Sequence, residues 1–211
     1  MFLVPFGNLL GHVVCRQGLM VDPAKITLIL NLEASRSVKQ LRTTLGHTGY
    51  YKNFIEGYAQ ITTPMEKLLK NNVTLYRNDD YKKSLDILKQ NMVTALILVF
   101  PNWTKEFHVH VDASCITLGE VLTQDGREGL DHPIAFVSHR LSKAKNNYST
   151  TERKGLAMVY TLQNCQHYLL GGHFNMYTDH SVLNYLVNKP MLGGEFSYGF
   201  YCSKNKILKL S

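Results

Sequence analysis

Two short runs of alternating residues, each ending in an aspartate, limit what this chain can fold into more than any other feature. Glu106-Phe-His-Val-His-Val-Asp112 alternates as a half-buried strand does, and Ala113-Ser114 come at once after it. Phe174-Asn-Met-Tyr-Thr-Asp179-His180 repeats the pattern. Between them lie strand-like runs at Ile116–Gln124 and Pro133–Ser138, separated by the polar turn Asp125-Gly-Arg-Glu-Gly129. Hairpin-like spacing predicts that the first three strands run antiparallel. Ser149-Thr-Thr-Glu152 is a capping box that opens a long helix reaching about Leu169, with Leu156, Val159, Leu162 and Gln163 facing inward and Gly171-Gly172 stopping it. After the strand at 174–178 a short helix is predicted at 181–187. Two strands that each deliver an acid at one end point to a carboxylate cluster holding hard metal ions against phosphate.

The first half reads differently. Residues 1–21 are apolar and punctuated by glycine, with strand-like Gly11–Cys15 and Gly18–Val21 that look too short for a sheet of their own. Asp22-Pro23 reads as an N-cap with proline at the first helical position, and Ile26, Ile29 and Leu30 supply that helix's buried face. Ser37-Val-Lys-Gln40 is a capping box for a helix on which Val38, Leu41, Leu45, Thr48 and Ile55 recur at helical spacing. Lys39, Arg42 and Lys52 fall outside that stripe, as phosphate contacts or as ordinary solvated side chains. Thr63-Pro-Met-Glu66 predicts a short helix ending near Lys70, and Asn78-Asp-Asp80 caps a last one with Tyr81, Leu85, Leu88 and Met92 on one face. This half is a small helical domain, and Asn102–Lys105 is its link to the strand at 106–112.

Charge is uneven along the 211 residues: positions 1–100 carry 12 Lys+Arg against 7 Asp+Glu, and positions 101–211 carry 11 against 9. A basic first half fits a polyanionic partner. Four cysteines without a CxxC pair give neither a zinc framework nor a disulfide scaffold, so reduced thiols are expected. No apolar run approaches the ~20 residues that span a bilayer, and the first residues lack the basic flank of a signal peptide. The chain is therefore read as intracellular, cytoplasmic or nuclear, with no membrane partner and no secretion.

Strand-strand-strand-helix-strand-helix, with acids ending the first and fourth strands, resembles the front of a ribonuclease H-like fold. The wording is more specific: Val-Asp-Ala-Ser (111–114), His-Pro-Ile-Ala (132–135), Asn-Tyr-Ser-Thr-Thr-Glu (147–152), His-Tyr-Leu-Leu-Gly (167–171) and Tyr-Thr-Asp-His (177–180) resemble gypsy-class LTR-retrotransposon polyproteins. Upstream, Leu-Gly-His-Thr-Gly-Tyr-Tyr (45–51), Phe54-Ile55, Pro64-Met65 and Leu68-Leu69 look like the thumb of the same reverse transcriptases. The resemblance runs over about residues 2–194. It implies an α/β (overall α+β) chain: a palm-hairpin remnant at 1–21, a helical thumb or connection region at 22–101, an incomplete ribonuclease H-like mixed sheet with helices at 102–194, and a divergent tail at 195–211, suspected to be a truncated or read-through end. The Tyr-x-Asp-Asp motif of the polymerase palm occurs nowhere, so this chain alone is not expected to synthesise DNA.

The resemblance also implies an activity, hydrolysis of the RNA strand of RNA–DNA hybrids by four acids holding two Mg²⁺ (or Mn²⁺) ions. Asp112 matches the first acid and Asp179 the third, as catalytic and metal-binding residues. The second is expected within Thr-Thr-Glu-x-Glu, but the chain reads Thr150-Thr-Glu-Arg-Lys154, so a lysine stands there. No aspartate occurs after Asp179 to serve as the fourth. Glu152 lies about 200° around the helix from position 154 and is explained by its capping role. Lys154 either pairs with Asp112 or Asp179 in the space a cation would take, or swings out to solvent. Thr150 and Thr151 are candidate contacts to a hybrid's minor groove, and His180 to a phosphate, with a capping or structural role as the alternative for His180.

His108, His110 and Asp112 share a strand face, where packing is favoured over a transition-metal site. Glu120 would destabilise a buried strand unless paired. Three readings stand: a metal-dependent nuclease with its thumb, from a polyprotein whose other segments are further partners; a non-catalytic remnant that still binds nucleic acid; and a transposon fragment without function. The loss of two acids favours a chain whose hydrolytic activity is lost or severely impaired.

Overall fold

The computed structural model describes residues 6–69, 78–126, 129–170, 173–179 and 199–202, the last four by backbone alone. The chain divides between Leu98 and Val99 into two compact units.

The first unit opens with a three-stranded antiparallel meander, β1 (Phe6–Leu9), β2 (His12–Cys15) and β3 (Gly18–Val21). These strands do form a sheet, against the expectation from their length. Two-residue loops hold them in register, and Leu10 and Gly11 both adopt positive φ (49° and 78°), as the favoured hairpin turn requires. Tyr50 donates its hydroxyl to the carbonyl of Leu10 and Tyr51 to that of Gly11, so the turn is fastened to the tyrosine pair of the 45–51 motif. Leu19 exchanges both backbone hydrogen bonds with Leu98, which extends the pairing at one more position.

Helix α1 (Pro23–Leu30) is capped by Asp22, which accepts from the Ala24 N–H. Ile29 is its buried residue; Ile26 is half-buried, and Leu30 is exposed because only a narrow stripe of this short helix meets its neighbours. Helix α2 (Val38–Gly49) is capped by Ser37 and buries Leu41, Thr44 and Thr48, with Val38 and Leu45 half-buried beside them. Ile55 is buried beyond the end of that helix, after a 3-10 turn at Lys52–Phe54. Helix α3 (Tyr58–Leu69) begins five residues before Thr63, so Pro64 lies inside the helix and not at its start. Thr62 and Thr63 donate to the carbonyls of Tyr58 and Ala59 there, and Gly57 at φ +63° breaks the chain ahead of it. Helix α4 (Asp79–Val93) is capped by Asn78 and buries Tyr81, Leu85, Leu88 and Met92, the four residues predicted. Tyr81 accepts the Ser35 N–H on its hydroxyl, so this large buried ring leaves no polar atom stranded.

The second unit is a five-stranded mixed sheet ordered β6-β5-β4-β7-β8. Strands β4 (Phe107–Ala113), β5 (Thr117–Asp125) and β6 (Asp131–Arg140) are antiparallel, as their spacing predicts. Strand β7 (Phe174–Thr178) runs parallel to β4, and β8 (Gly199–Cys202) parallel to β7, so part of the tail that reads as divergent supplies a strand. Helix α5 (Thr150–Asn164) crosses the sheet and gives way at Cys165 to the short α6 (Gln166–Leu169), so the predicted single helix is broken. Ser149 and Glu152 form the capping box in both directions.

The buried stripe of α5 is Lys154, Ala157, Met158 and Thr161, not the predicted 156-159-162-163 face. Val159 and Gln163 are exposed, whereas Leu156 and Leu162 flank the core half-buried. Ala157 and Thr161 on the inner stripe are small, Met158 enters the core beside them, and Leu156 and Leu162 fill the margins. The core itself joins Phe107, Val109 and Val111 of β4 to Leu118, Leu122, Met158, Leu169, Phe174 and Met176. The predicted Gly171-Gly172 stop and the helix at 181–187 lie outside the described residues. Among the described residues no helix is long and apolar enough to cross a membrane.

Gly18 gives a direct test of the first unit. Its φ is +147°, and a Cβ there would sit 2.1 Å from the Leu98 carbonyl oxygen. Gly18→Ala is expected to lower stability by about 1–3 kcal/mol through backbone strain and loss of the Leu19–Leu98 pairing. Urea unfolding of the two proteins measures the difference.

Candidate functional site

The parallel register of β4 and β7 pairs His110 with Tyr177, so Asp112 and Asp179, two residues further along each chain, emerge at the same end of the sheet. Both carboxylates are exposed, at 81% and 69% of the side chain. Asp112 accepts the backbone N–H of Ala113 at 2.8 Å. Lys154 reaches them from the first turns of α5. Its side chain is only 8% exposed; its Nζ donates to Asp179 Oδ1 and lies 3.8 Å from Asp112 Oδ1. Of the alternatives open for Lys154, the inward one holds.

Capping explains why Lys154 points this way. Ser149 fixes the start of the helix, and position 154 then falls on the stripe shared with Ala157, Met158 and Thr161. Its methylenes lie in the core margin while the ammonium reaches the acids, as long cationic side chains do at a polar edge. Solvent around the two carboxylates screens the attraction, which limits each pair to roughly 1 kcal/mol. Removing both acids is a different matter, since the ammonium would remain buried without a counter-charge. Glu152 is turned away and exposed; the Ser149 backbone N–H holds its carboxyl below the usual carboxylate range, with the Ser149 hydroxyl adding to the effect.

Other predicted residues are spread out. Lys39 and Arg42 project from α2 on an exposed stripe that continues through Thr43, Gly46, His47 and Tyr50. Lys52 is exposed in the 3-10 turn after that helix. Thr150 is exposed and receives a 3.4 Å hydrogen bond from Arg153, and Thr151 is half-buried. His180 lies outside the described residues.

His108 and His110 do share a face of β4, the one opposite the core residues Val109 and Val111, but Asp112 does not join them. Their common neighbour is Asp131: His108 Nδ1 is 2.8 Å from Oδ1 and His110 Nε2 is 3.0 Å from Oδ2. Tyr177 stacks on His110 with ring centroids 4.9 Å apart. Sequence reasoning misses Asp131 because it enters from β6, beyond a turn, and only the β5–β6 pairing brings it across.

Glu120 is 5% exposed on the α5 side of the sheet. The Cys165 thiol donates to its Oε1 at 3.8 Å, and Oε2 has no hydrogen-bond partner. Burial pushes the carboxyl up to about 7, against the smaller lowering effect of hydrogen bonds from Thr161 and Cys165. Burial, and then the adjacent Glu120, push the Cys165 thiol up to about 12. Cys15, Cys115 and Cys165 are free thiols.

The sheet order, the helix across it and the acids at one end define a ribonuclease H-like unit. Residues 78–176 match the RNase H-like domain found in reverse transcriptase. The chain is 36% identical over 188 residues to the retrovirus-related Pol polyprotein from transposon opus of Drosophila melanogaster, covering 83% of this chain and 19% of that one. For transposon 297 of the same fly the identity is 37% over 188 residues, covering 89% and 17%, and for transposon gypsy it is 31% over 191 residues, covering 84% and 18%. The fold is similar to the foamy viral protease-reverse transcriptase solved with dsDNA, with a TM-score of 0.80 at 19% identity over 96% of this chain and 45% of that chain. The same protein solved with an RNA/DNA hybrid gives 0.79 at 19% identity, over 96% and 30%. The chain belongs to the gypsy-class retrotransposon Pol family, as a stretch of reverse transcriptase that carries the RNase H-like domain. It spans less than a fifth of the length of the transposon relatives it matches.

Glu120 yields a pH prediction. Its carboxyl sits near 7 in the folded chain against 4.5 for an ordinary glutamate, so the unfolded state releases the proton first. Its contribution is complete below about pH 4.5 and is lost as pH rises through 7, a change on the order of 3 kcal/mol. Glu120→Gln is expected to flatten that part of the profile, read from urea midpoints between pH 5 and pH 8.5.

Proposed function

We propose that this chain is a ribonuclease H-like segment of a retrotransposon reverse transcriptase that has lost hydrolysis of RNA–DNA hybrids and keeps affinity for nucleic acid. One observation carries the reading: the ammonium of Lys154 contacts Asp179 and approaches Asp112 from the helix position where the family resemblance calls for an acid. RNase H-like domains generally depend on divalent metal, Mg²⁺ or Mn²⁺. The residues present do not fit that requirement. A fixed positive charge stands within 4 Å of both carboxylates, and a dication placed there would meet repulsion instead of a third ligand. Asp112 and Asp179 are thus the surviving members of the catalytic and metal-binding set, without the set's function.

Binding rests on different residues. Residues 22–101 are read as the thumb or connection region, after a palm-hairpin remnant at 1–21, and Lys39, Arg42 and Lys52 as its phosphate contacts. The exposed stripe of α2 supports this, since it presents two cations beside a glycine and an aromatic ring. Thr150 and Thr151, with His180, are read as contacts to the hybrid from the 102–194 segment. Other segments of the polyprotein are further partners, and the compartment is the cytoplasm or nucleus.

Incubation with an RNA–DNA hybrid in Mg²⁺ or Mn²⁺ is expected to give no measurable cleavage. Lys154→Glu is expected to give at most slight cleavage, because it restores one acid and leaves the set at three of four. Cleavage by the native chain that Asp112→Asn abolishes would overturn the inactive reading. Hybrid affinity is expected to fall linearly with the logarithm of salt, with Lys39→Ala and Arg42→Ala each reducing the slope by about 1. A flat response would remove the binding reading.

A further inference from the structure

We propose that the second unit holds a transition-metal site, built by His108, Asp131 and Asp125 at the end of the sheet away from Asp112. The ligand atoms of these three residues all lie within 4.8 Å of one another. His108 Nδ1 is 2.8 Å from Asp131 Oδ1 and 3.9 Å from Asp125 Oδ1. Ligand atoms around tetrahedral zinc stand ~3.3 Å apart, so relative shifts of no more than about 1.5 Å bring the three onto one ion, with water or another group completing the shell.

Charge placement points the same way. Asp125 and Asp131 are direct cross-strand partners on β5 and β6, which brings two carboxylates together beside the His108 imidazole. The Asp131 side chain is 8% exposed and that of His108 5%, so a carboxylate and an imidazole are brought together out of solvent. His110 completes the arrangement from outside. Its Nε2 lies 3.0 Å from Asp131 Oδ2, the oxygen not facing His108, and its ring is stacked on Tyr177. A hydrogen bond to the second oxygen of a ligating carboxylate fixes its orientation.

The donor set selects the ion. One imidazole nitrogen with two carboxylates suits zinc or cobalt better than magnesium, which takes oxygen ligands in octahedral geometry. His108 and Asp112 are four residues apart on β4, about 13 Å along the strand, so this site and the Asp112–Lys154–Asp179 group are separate. The inference does not depend on the activity assigned to that group.

Titration of the full chain with Co²⁺ tests it. One equivalent is expected to produce the visible bands of four-coordinate cobalt, and calorimetry with Zn²⁺ is expected to give one site that excess Mg²⁺ leaves filled. His108→Gln is expected to abolish binding, and His110→Phe to weaken it by about 10- to 100-fold. Asp125 is 58% exposed, so Asp125→Asn keeps the fold and carries the test if the buried variants do not; it is expected to weaken binding at least ~tenfold. Asp112→Asn is expected to bind metal as the native chain does. Absence of Zn²⁺ and Co²⁺ binding by the native chain would overturn the proposal. So would binding that Asp125→Asn leaves unchanged, or that Asp112→Asn removes.

Discussion

The parallel ladder between β4 and β7 is the constraint on which the second unit turns. It aligns Phe107 with Phe174 and Val109 with Met176, which lock into the core. The same register carries Asp112 and Asp179 out together at the sheet's end. Two carboxylates held side by side need positive charge between them, and the fold provides it from α5. That helix can reach because Lys154 lies on its inner stripe with Ala157, Met158 and Thr161. Sheet register, helix capping and charge balance are therefore one problem with one solution.

Much of this is legible in the sequence where a local signal exists. Asp22, Ser37, Asn78 and Ser149 each cap the helix expected of them, since a cap is a matter of a few neighbouring residues. Turn spacing is enough to predict the antiparallel strands, and the lysine at 154 stands out against the family wording. The hidden features depend on distant contacts. Periodicity misjudges the stripe of α5 because hydropathy ranks Leu156 and Val159 above Ala157 and Thr161, whereas the helix buries the face that carries Lys154, Ala157, Met158 and Thr161. Thr63-Pro-Met-Glu66 reads as a helix start, yet the chain is already helical from Tyr58, with threonine hydroxyls bonded back to Tyr58 and Ala59. Length alone argues against the short strands before Asp22, but Tyr50, Tyr51 and the Leu98 backbone hold them from afar. Asp131 gives no sign of its role, because only pairing with β5 brings it to the histidines of β4.

The same sheet meets electrostatic strain differently at its buried and exposed positions. Asp112 and Asp179 remain in solvent and share an ammonium. Asp131 is sequestered and lies between two imidazoles. Among the described residues Glu120 has neither a cation nor a full set of donors, and burial raises its carboxyl to about 7. Exposure separates the three: a carboxylate that stays in water keeps its hydration, whereas one that leaves it depends on the hydrogen-bonding and charged groups around it.

Lys154 is joined by its own backbone to the helix that positions it, and this tether has a consequence for the acidic end of the sheet. A dissolved ion arrives and departs with the composition of the medium, but a covalently held counter-ion acts intramolecularly, at an effective concentration that dilution does not change. Chelators and shifts in cellular magnesium thus leave the neutralisation of Asp112 and Asp179 in place, and this edge of the fold is independent of mineral supply.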